Sequence, residues 1–266
     1  MRSFAVLDDL GGLLMEPLRV MDLFAGCGGF AEGFRTYAAD ELEGRQAFRI
    51  VAAVEFDRAA VKTFKANHQA AAALWLDVAA FDPYPFVGQI DVIAGGPFSH
   101  GFSGFGNEQG DDPRRRLWED YTRVVAVVRP KIFVLENVDR FATSDEYGRL
   151  EEAVQPGGPL SDYTLARGIL NSADYGVPQA RRRFIVIGTH KSLDSAVPLP
   201  APTHAEHPSV EGSPSLFADS STLLPWNPVD AVFDRPMQMT IGGTNLPERH
   251  DSDGITGPFR TSLDHS

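Results

Sequence analysis

Residues 18–29 read LRVMDLFAGCGG, an apolar run that ends in a glycine-rich turn. Just beyond it, Phe30, Phe34 and Tyr37 are spaced four and three residues apart, which predicts a helix. A strand that runs through glycines into a helix is the first unit of nucleotide-binding α/β folds. The stretch therefore predicts an open α/β sheet that begins near residue 18.

The downstream sequence repeats this pattern of strand and helix. Residues 49–55 predict a second strand that ends in an acid, and residues 58–67 predict a helix with Val61 and Phe64 on its inner face. Three further apolar runs, 91–94, 132–135 and 184–187, have the length of buried strands. Strands that alternate with helices predict a mainly parallel sheet with helices on both faces.

Composition divides the chain into two parts. Prolines and polar residues dominate beyond Thr189, so we predict one domain over residues 1–190 and an irregular, Pro-rich, acidic extension over 191–266. The single cysteine, Cys27, excludes an internal disulfide and is typical of a cytoplasmic protein. No membrane segment is expected, because the apolar runs have the length of strands.

The charge of the chain is unusual for a nucleic-acid binder. The net charge is −12, and residues 200–266 carry −6 of it, from 3 arginines and 9 acids. Affinity for DNA comes mainly from neutralising phosphates, so an acidic chain must concentrate its positive charge locally. Two arginine clusters, 114–116 and 181–183, could face phosphates.

A set of residues at predicted strand ends indicates a pocket for an adenosine-type cofactor. The turn Phe24-Ala25-Gly26-Cys27-Gly28-Gly29 allows the backbone to approach a ligand closely. Glu55 could accept hydrogen bonds from ribose hydroxyls, and Asp77 could accept one from an adenine amino group. Taken singly, Glu55 could equally be a solvated strand end and Asp77 a surface acid. The Gly-Lys-Ser/Thr ending of a triphosphate loop does not occur, and no metal site is indicated.

Four stretches, in order along the chain, resemble the DNA (cytosine-5) methyltransferases. They cover roughly residues 18–190 and read DLFAGCGGF (22–30), GGPFSHGFS (95–103), LENV (135–138) and YGVPQARRRF (175–184). The resemblance implies a Rossmann-like fold that binds S-adenosylmethionine. The residues implied for the cofactor are Asp22, Phe24, Gly26, Cys27, Gly28, Gly29, Glu55, Phe56, Asp77 and Pro97, with Phe56 as a stacking wall for adenine.

The same resemblance implies methylation of C5 of a flipped cytosine in DNA, in a cytoplasmic enzyme of prokaryotic or phage type that serves restriction-modification or epigenetic marking. Glu136 would hydrogen bond N3 of the ring and offset the charge that builds there. Arg181 and Arg183 would face the flipped nucleotide and the catalytic loop. The alternative role for these three side chains is a structural ion-pair network.

The chain departs from the family pattern at the nucleophile. Family members read Gly-Gly-Pro-Pro-Cys-Gln-Gly-Phe-Ser where residues 95–103 stand, so Ser99 occupies the position of the attacking cysteine and Phe98 that of a proline. A thiol has a pKa of about 8.5, whereas a serine hydroxyl is far less acidic. The resemblance therefore implies a catalytic loop with impaired reactivity, and rescue by His100 acting as a base is not expected.

A second departure lies after residue 235, where the family's returning Gly-Asn segment is not found. We therefore expect either a truncated enzyme or one chain of a split enzyme whose partner supplies the remainder. Without the returning segment, apolar surface of the cofactor domain would be exposed. An N-terminal extension with apolar residues at near-helical spacing, Phe4 to Leu14, could cover that surface in place of a partner. Two alternatives stay open: a non-catalytic subunit that binds DNA or a companion methyltransferase, and an RNA cytosine methyltransferase.

Overall fold

The computed structural model describes residues 16–37, 45–97, 117–208 and 223–228, together with the backbone of two short strands at 6–7 and 13–14. The chain divides into two compact units, residues 1–228 and 229–266, and every described residue belongs to the first. The domain boundary near residue 190 stays a prediction.

The described elements include eleven strands and four α-helices, besides short 3₁₀ helices. The strands are β1 Val6–Leu7, β2 Leu13–Leu14, β3 Leu18–Leu23, β4 Phe48–Glu55, β5 Ala72–Trp75, β6 Val92–Gly95, β7 Ile132–Asn137, β8 Tyr163–Asn171, β9 Arg182–His190, β10 His204–Ala205 and β11 Leu224–Pro225. The helices are α1 Gly29–Thr36, α2 Arg58–Asn67, α3 Leu117–Val128 and α4 Asp145–Ala153.

Seven strands form one sheet in the order β5-β4-β3-β6-β7-β9-β8. The pairs from β5 to β7 are all parallel, whereas β9 runs antiparallel to both β7 and β8. The mainly parallel sheet is therefore confirmed. Because the chain order reverses between β3 and β6, the carboxyl ends of these strands border the crevice where open α/β sheets bind ligands.

The sheet buries a separate apolar cluster on each face. The smaller cluster joins Ala31 of α1 and Phe64 of α2 to Ala53 of β4. The larger one joins Tyr121 of α3 and Leu150 of α4 to strand residues on the opposite face. Neighbouring residues of a strand point to opposite faces, so helices cover both faces, as the strand-helix alternation predicted.

The sequence located five of the seven strands of this sheet and two of the four α-helices. The helix predicted over 58–67 is α2, with Val61 and Phe64 buried as expected. The strands predicted at 132–135 and 184–187 are longer at one or both ends, as β7 and β9. The elements that were not predicted are β8, α3, α4 and the short strands β1, β2, β10 and β11, and the strand implied before Asp77, β5, was given no bounds.

The N-terminal extension does not have the helical form that its apolar spacing suggested at the positions described. Val6 and Leu7 pair antiparallel with Leu14 and Leu13. Within the part of the chain that the structure describes, no helix is both long and apolar enough to cross a membrane.

Candidate functional site

The glycine turn between β3 and α1 has an unusual backbone. Phe24 and Gly26 both have positive φ angles, of 55° and 54°, and Gly28, the residue before α1, has a φ of 99°. A Cβ atom on Gly28 would lie 2.8 Å from the ring of His68, which is itself buried. The backbone conformation therefore requires glycine at positions 26 and 28. At position 28 a side chain would also collide with His68.

Glu55 at the end of β4 fixes this turn. One of its carboxylate oxygens accepts the backbone N–H of Gly26 at 2.9 Å, and the other accepts that of Asp57 at 2.7 Å. The residue is only 7% exposed, so it is not a solvated strand end. A carboxylate has about four acceptor positions, so Glu55 retains capacity for ligand hydroxyls.

Asp22 lies beneath the same turn, near the end of β3, and is completely buried. Within the described part of the chain, neither of its oxygens accepts a hydrogen bond of ordinary geometry. Burial raises the pKa of Asp22 to about 7, the backbone N–H of Ala31 opposes this, and the charge of Glu55 adds to it. An unpaired buried carboxylate is costly, so Asp22 is an unsatisfied polar group at this crevice among the described residues.

Phe56 and Asp77 extend the row of residues toward the sheet edge. Phe56 directly follows β4, and the residue is 62% exposed. Asp77 is also exposed, and one of its oxygens caps a short 3₁₀ helix by accepting the N–H of Ala79 at 2.9 Å. The surface-acid interpretation of Asp77 is therefore compatible with its position, but its second oxygen accepts no hydrogen bond from the described residues and could face a ligand.

The catalytic-loop motif begins at the end of β6. Pro97 is buried, and its carbonyl oxygen accepts a hydrogen bond from the side-chain amide of Asn137 at 3.2 Å. Asn137 is 3% exposed, and its amide oxygen also accepts the N–H of Val138. The last residue of β7 thus ties the start of the loop to the neighbouring strand. Sequence reasoning did not assign Asn137 a role, although it lies inside the LENV motif.

Glu136 and Arg183 meet across β7 and β9. Their side chains form an ion pair at 2.8 Å, and the two side chains are 28% and 25% exposed. Glu136 also packs beside Gly96, where an added Cβ would lie 2.8 Å from its Oε2. The pairing matches the structural alternative considered for these residues, but the partial exposure leaves Glu136 accessible to a ligand.

Arg181 lies just before β9 and is exposed. Its backbone N–H donates to the side chain of Asn171 at 3.0 Å, and its guanidinium forms no ion pair among the described residues. The intervening Arg182 lies 4.0 Å from Asp139. In an extended segment, the side chains of Arg181 and Arg183 point to one side and that of Arg182 to the other. The guanidinium of Arg181 is therefore available to a ligand.

Residues 98–116 lie outside the described residues, so the positions of Phe98, Ser99, His100 and Arg114 to Arg116 are not part of this geometry. Cys27 is described and is exposed in the glycine turn.

The residues at the carboxyl ends of β3, β4 and β5 fit S-adenosylmethionine. Two glycines with positive φ form a turn that side chains would obstruct, Glu55 and Asp77 offer acceptors, and an exposed aromatic ring stands beside them. Below the turn lies the buried carboxylate of Asp22, which accepts no hydrogen bond of ordinary geometry from the described part of the chain.

The fold and this site define a Rossmann-like domain of the methyltransferase type. A protein assigned as a prophage-encoded DNA modification methyltransferase (E. coli) superposes with a TM-score of 0.55 at 30% identity, over 68% of this chain and 49% of that one. The Dnmt2 methyltransferase of S. pombe shares the fold, with a TM-score of 0.52 at 19% identity over 68% of this chain and 51% of its own.

The family itself is also defined. The C-5 cytosine-specific DNA methylase family matches residues 18–222, and the chain belongs to this family. The Type II methyltransferase M.AgeI of Thalassovita gelatinovora is 31% identical over 84% of this chain and 52% of its own length. M.AquIA of Picosynechococcus is 32% identical over 70% of this chain and 77% of its own. The chain spans about half the length of several curated relatives that it matches.

Proposed function

We propose that this chain binds S-adenosylmethionine at the carboxyl ends of β3, β4 and β5 and serves methylation of cytosine C5 in DNA. We propose further that transfer by the chain is weak, because Ser99 stands at the position of the family nucleophile. The main support is the ion pair of Glu136 and Arg183 beside Gly96. This pair brings the LENV and YGVPQARRRF motifs against the start of the catalytic loop.

The cofactor would lie over the glycine turn, with Glu55 facing the ribose, Asp77 the adenine amino group and Phe56 the adenine ring. When bound, S-adenosylmethionine supplies an electrophilic methyl group. The backbone N–H groups of Gly26 and Asp57 hold the Glu55 carboxylate in place before any ligand arrives. A pre-positioned acceptor loses less side-chain entropy on binding than a mobile one.

Glu136 would act on a flipped cytosine. Arg183 holds the carboxyl group of Glu136 at the end of β7. In its protonated form this group can donate a hydrogen bond to N3 and offset the negative charge that develops on the ring. Arg181, with no ion pair among the described residues, would attract the phosphate of the flipped nucleotide. Weak transfer follows from Ser99, because its hydroxyl gives too little alkoxide near neutral pH to add readily to C6 of the ring.

Titration calorimetry with S-adenosylhomocysteine tests cofactor binding. We expect Glu55→Gln to weaken binding by about 10- to 100-fold, the effect of losing charge-assisted hydrogen bonds. Glu206→Gln is the matched control, because Glu206 is exposed and has no hydrogen bond or ion pair among the described residues. A folded wild-type chain that binds neither S-adenosylhomocysteine nor S-adenosylmethionine contradicts the proposal.

A second candidate function is non-catalytic: the cofactor fold binds DNA or a companion methyltransferase chain. The serine at position 99 favours it. The intact Glu136, Arg181 and Arg183 favour the enzyme instead, because a chain released from catalysis has no chemical use for them. Transfer of tritiated methyl groups to mixed-sequence DNA distinguishes the two functions. A binding subunit should transfer no methyl groups, even when residues of the catalytic loop are substituted.

A further inference from the structure

An exposed aromatic ring beside the cofactor crevice stands on an unusually well-held backbone. Phe56 has 62% of its surface exposed, yet three hydrogen bonds fix the chain on both sides of it. Leu76 N–H donates to the carbonyl of Glu55 at 3.0 Å, and Asp57 N–H donates to the carboxylate of Glu55 at 2.7 Å. The third comes from a side chain: the indole N–H of Trp75 donates to the carbonyl oxygen of Phe56 at 2.8 Å.

Trp75 is itself an exposed residue at the end of edge strand β5, with 59% of its surface open to solvent. In the register of β4 and β5, it lies opposite Glu55. The guanidinium of Arg58, in the first turn of α2, lies 5.2 Å from the centre of the indole ring. A cation over an aromatic face is attractive, so Arg58 holds the indole against the carbonyl that it bonds.

We propose that Trp75 is a positioning residue for the adenine-stacking surface. Its indole N–H fixes the carbonyl of Phe56, and thereby the direction in which the Phe56 ring projects over the cofactor crevice. The inference rests on the proposed function, because it takes Phe56 as the wall against which adenine stacks. Stacking depends on ring position, so loss of the indole N–H weakens binding through Phe56 rather than through any contact of Trp75 with the ligand.

The test is a double-mutant cycle read by titration with S-adenosylhomocysteine. Trp75→Phe keeps an aromatic ring and removes the donor, and we expect it to raise the dissociation constant by about two- to tenfold. In the Phe56→Ala background, the same substitution should change the dissociation constant by less than about twofold, because the ring it positions is gone. Arg58→Gln should weaken binding in the same direction by a smaller factor.

Trp226→Phe is the matched control. Its indole N–H donates to Asp174 at 2.9 Å, a bond of similar length, and Asp174 follows β8 at the opposite edge of the sheet. This variant should bind S-adenosylhomocysteine like the wild type. Thermal midpoints without ligand show that each variant folds.

Three results would overturn the inference. Wild-type affinity in Trp75→Phe would show that the bond does not position the ring. An equal loss in both backgrounds would show that Trp75 acts without Phe56. Failure of the wild type to bind S-adenosylhomocysteine would overturn the proposed cofactor site together with this inference, and so is distinguishable from the other two.

Discussion

Two buried aspartates on adjacent strands mark the two ends of the sheet, and their surroundings are opposite. Asp22, at the carboxyl end of β3, accepts no hydrogen bond of ordinary geometry from the described residues. Asp91, just before β6 at the amino end, pairs with the guanidinium of Arg19 at 2.8 Å and the ammonium of Lys131 at 3.0 Å. One end of the sheet satisfies its buried charge, and the other leaves a carboxylate unsatisfied.

This difference supports a structural role for Asp91 at the amino end of the sheet and a ligand site near Asp22 at the carboxyl end. Burial disfavours the charge of both aspartates, but the bonds from Arg19 and Lys131 outweigh it and lower the pKa of Asp91 to about 2. Without such partners, burial raises the pKa of Asp22 to about 7. Unpaired buried groups are costly and are concentrated at functional sites, which supports the proposal of a ligand site at the carboxyl end.

The largest expected effect concerns Asp22. Because its pKa is about 7 in the folded chain, the folded protein keeps a proton that the unfolded chain releases above about pH 4. The free energy of unfolding contributed by this group should therefore fall between about pH 4 and pH 7, by roughly 4 kcal/mol in total, and stay level above that range. Urea unfolding of wild type and Asp22→Asn across this range measures it. Parallel pH profiles of the two proteins would contradict the burial argument.

The next effect concerns Glu136. In a Ser99→Cys background, Glu136→Gln should lower the rate of methyl transfer by about 100-fold, since the amide cannot supply the carboxyl group's acid–base chemistry at N3. The free energy of unfolding should change by less than about 1 kcal/mol, because the pair with Arg183 is partly exposed. Single-turnover rates and urea unfolding measure both. A large loss of stability with full activity would mean that Glu136 is only structural.

A smaller effect, of opposite sign in pH, is expected at Asp91. Its lowered pKa means that the stability it contributes is present above about pH 4 and is lost as the pH falls toward 2. Asp91→Asn should lower the free energy of unfolding by about 2 kcal/mol near neutral pH and leave the affinity for S-adenosylhomocysteine unchanged. A change in that affinity would contradict the assignment of separate roles, stability and ligand binding, to the two ends of the sheet.

The sequence predicted what is encoded locally. The glycine turn, Glu55 at the end of β4 and helix α2 were found because short-range spacing specifies them. Helix α3 also carries a local signal that was missed, since its buried residues include Trp118, Tyr121, Val125 and Val128 at helical intervals.

Other features depend on contacts between distant parts of the chain. An apolar run such as 184–187 predicts a strand but not its direction, and the pairing of Glu136 with Arg183 exists because β9 enters antiparallel to β7. The bond from Asn137 to Pro97 and the bond from Trp75 to Phe56 likewise follow from strand order. Local patterns contain no information on such pairs, so these parts of the site emerged only from the fold.

We propose that the cofactor end of this chain is competent and that Ser99 limits its chemistry. Tritium transfer from labelled S-adenosylmethionine to mixed-sequence DNA, measured for wild type, Ser99→Cys and Phe98→Pro/Ser99→Cys, tests it most directly. We expect the rate of methyl transfer by the two thiol variants to exceed that of wild type by at least about 100-fold. Removal of a nucleophile can lower a rate by much more than this factor. Robust transfer by wild type, at a rate equal to that of both variants, would contradict the account.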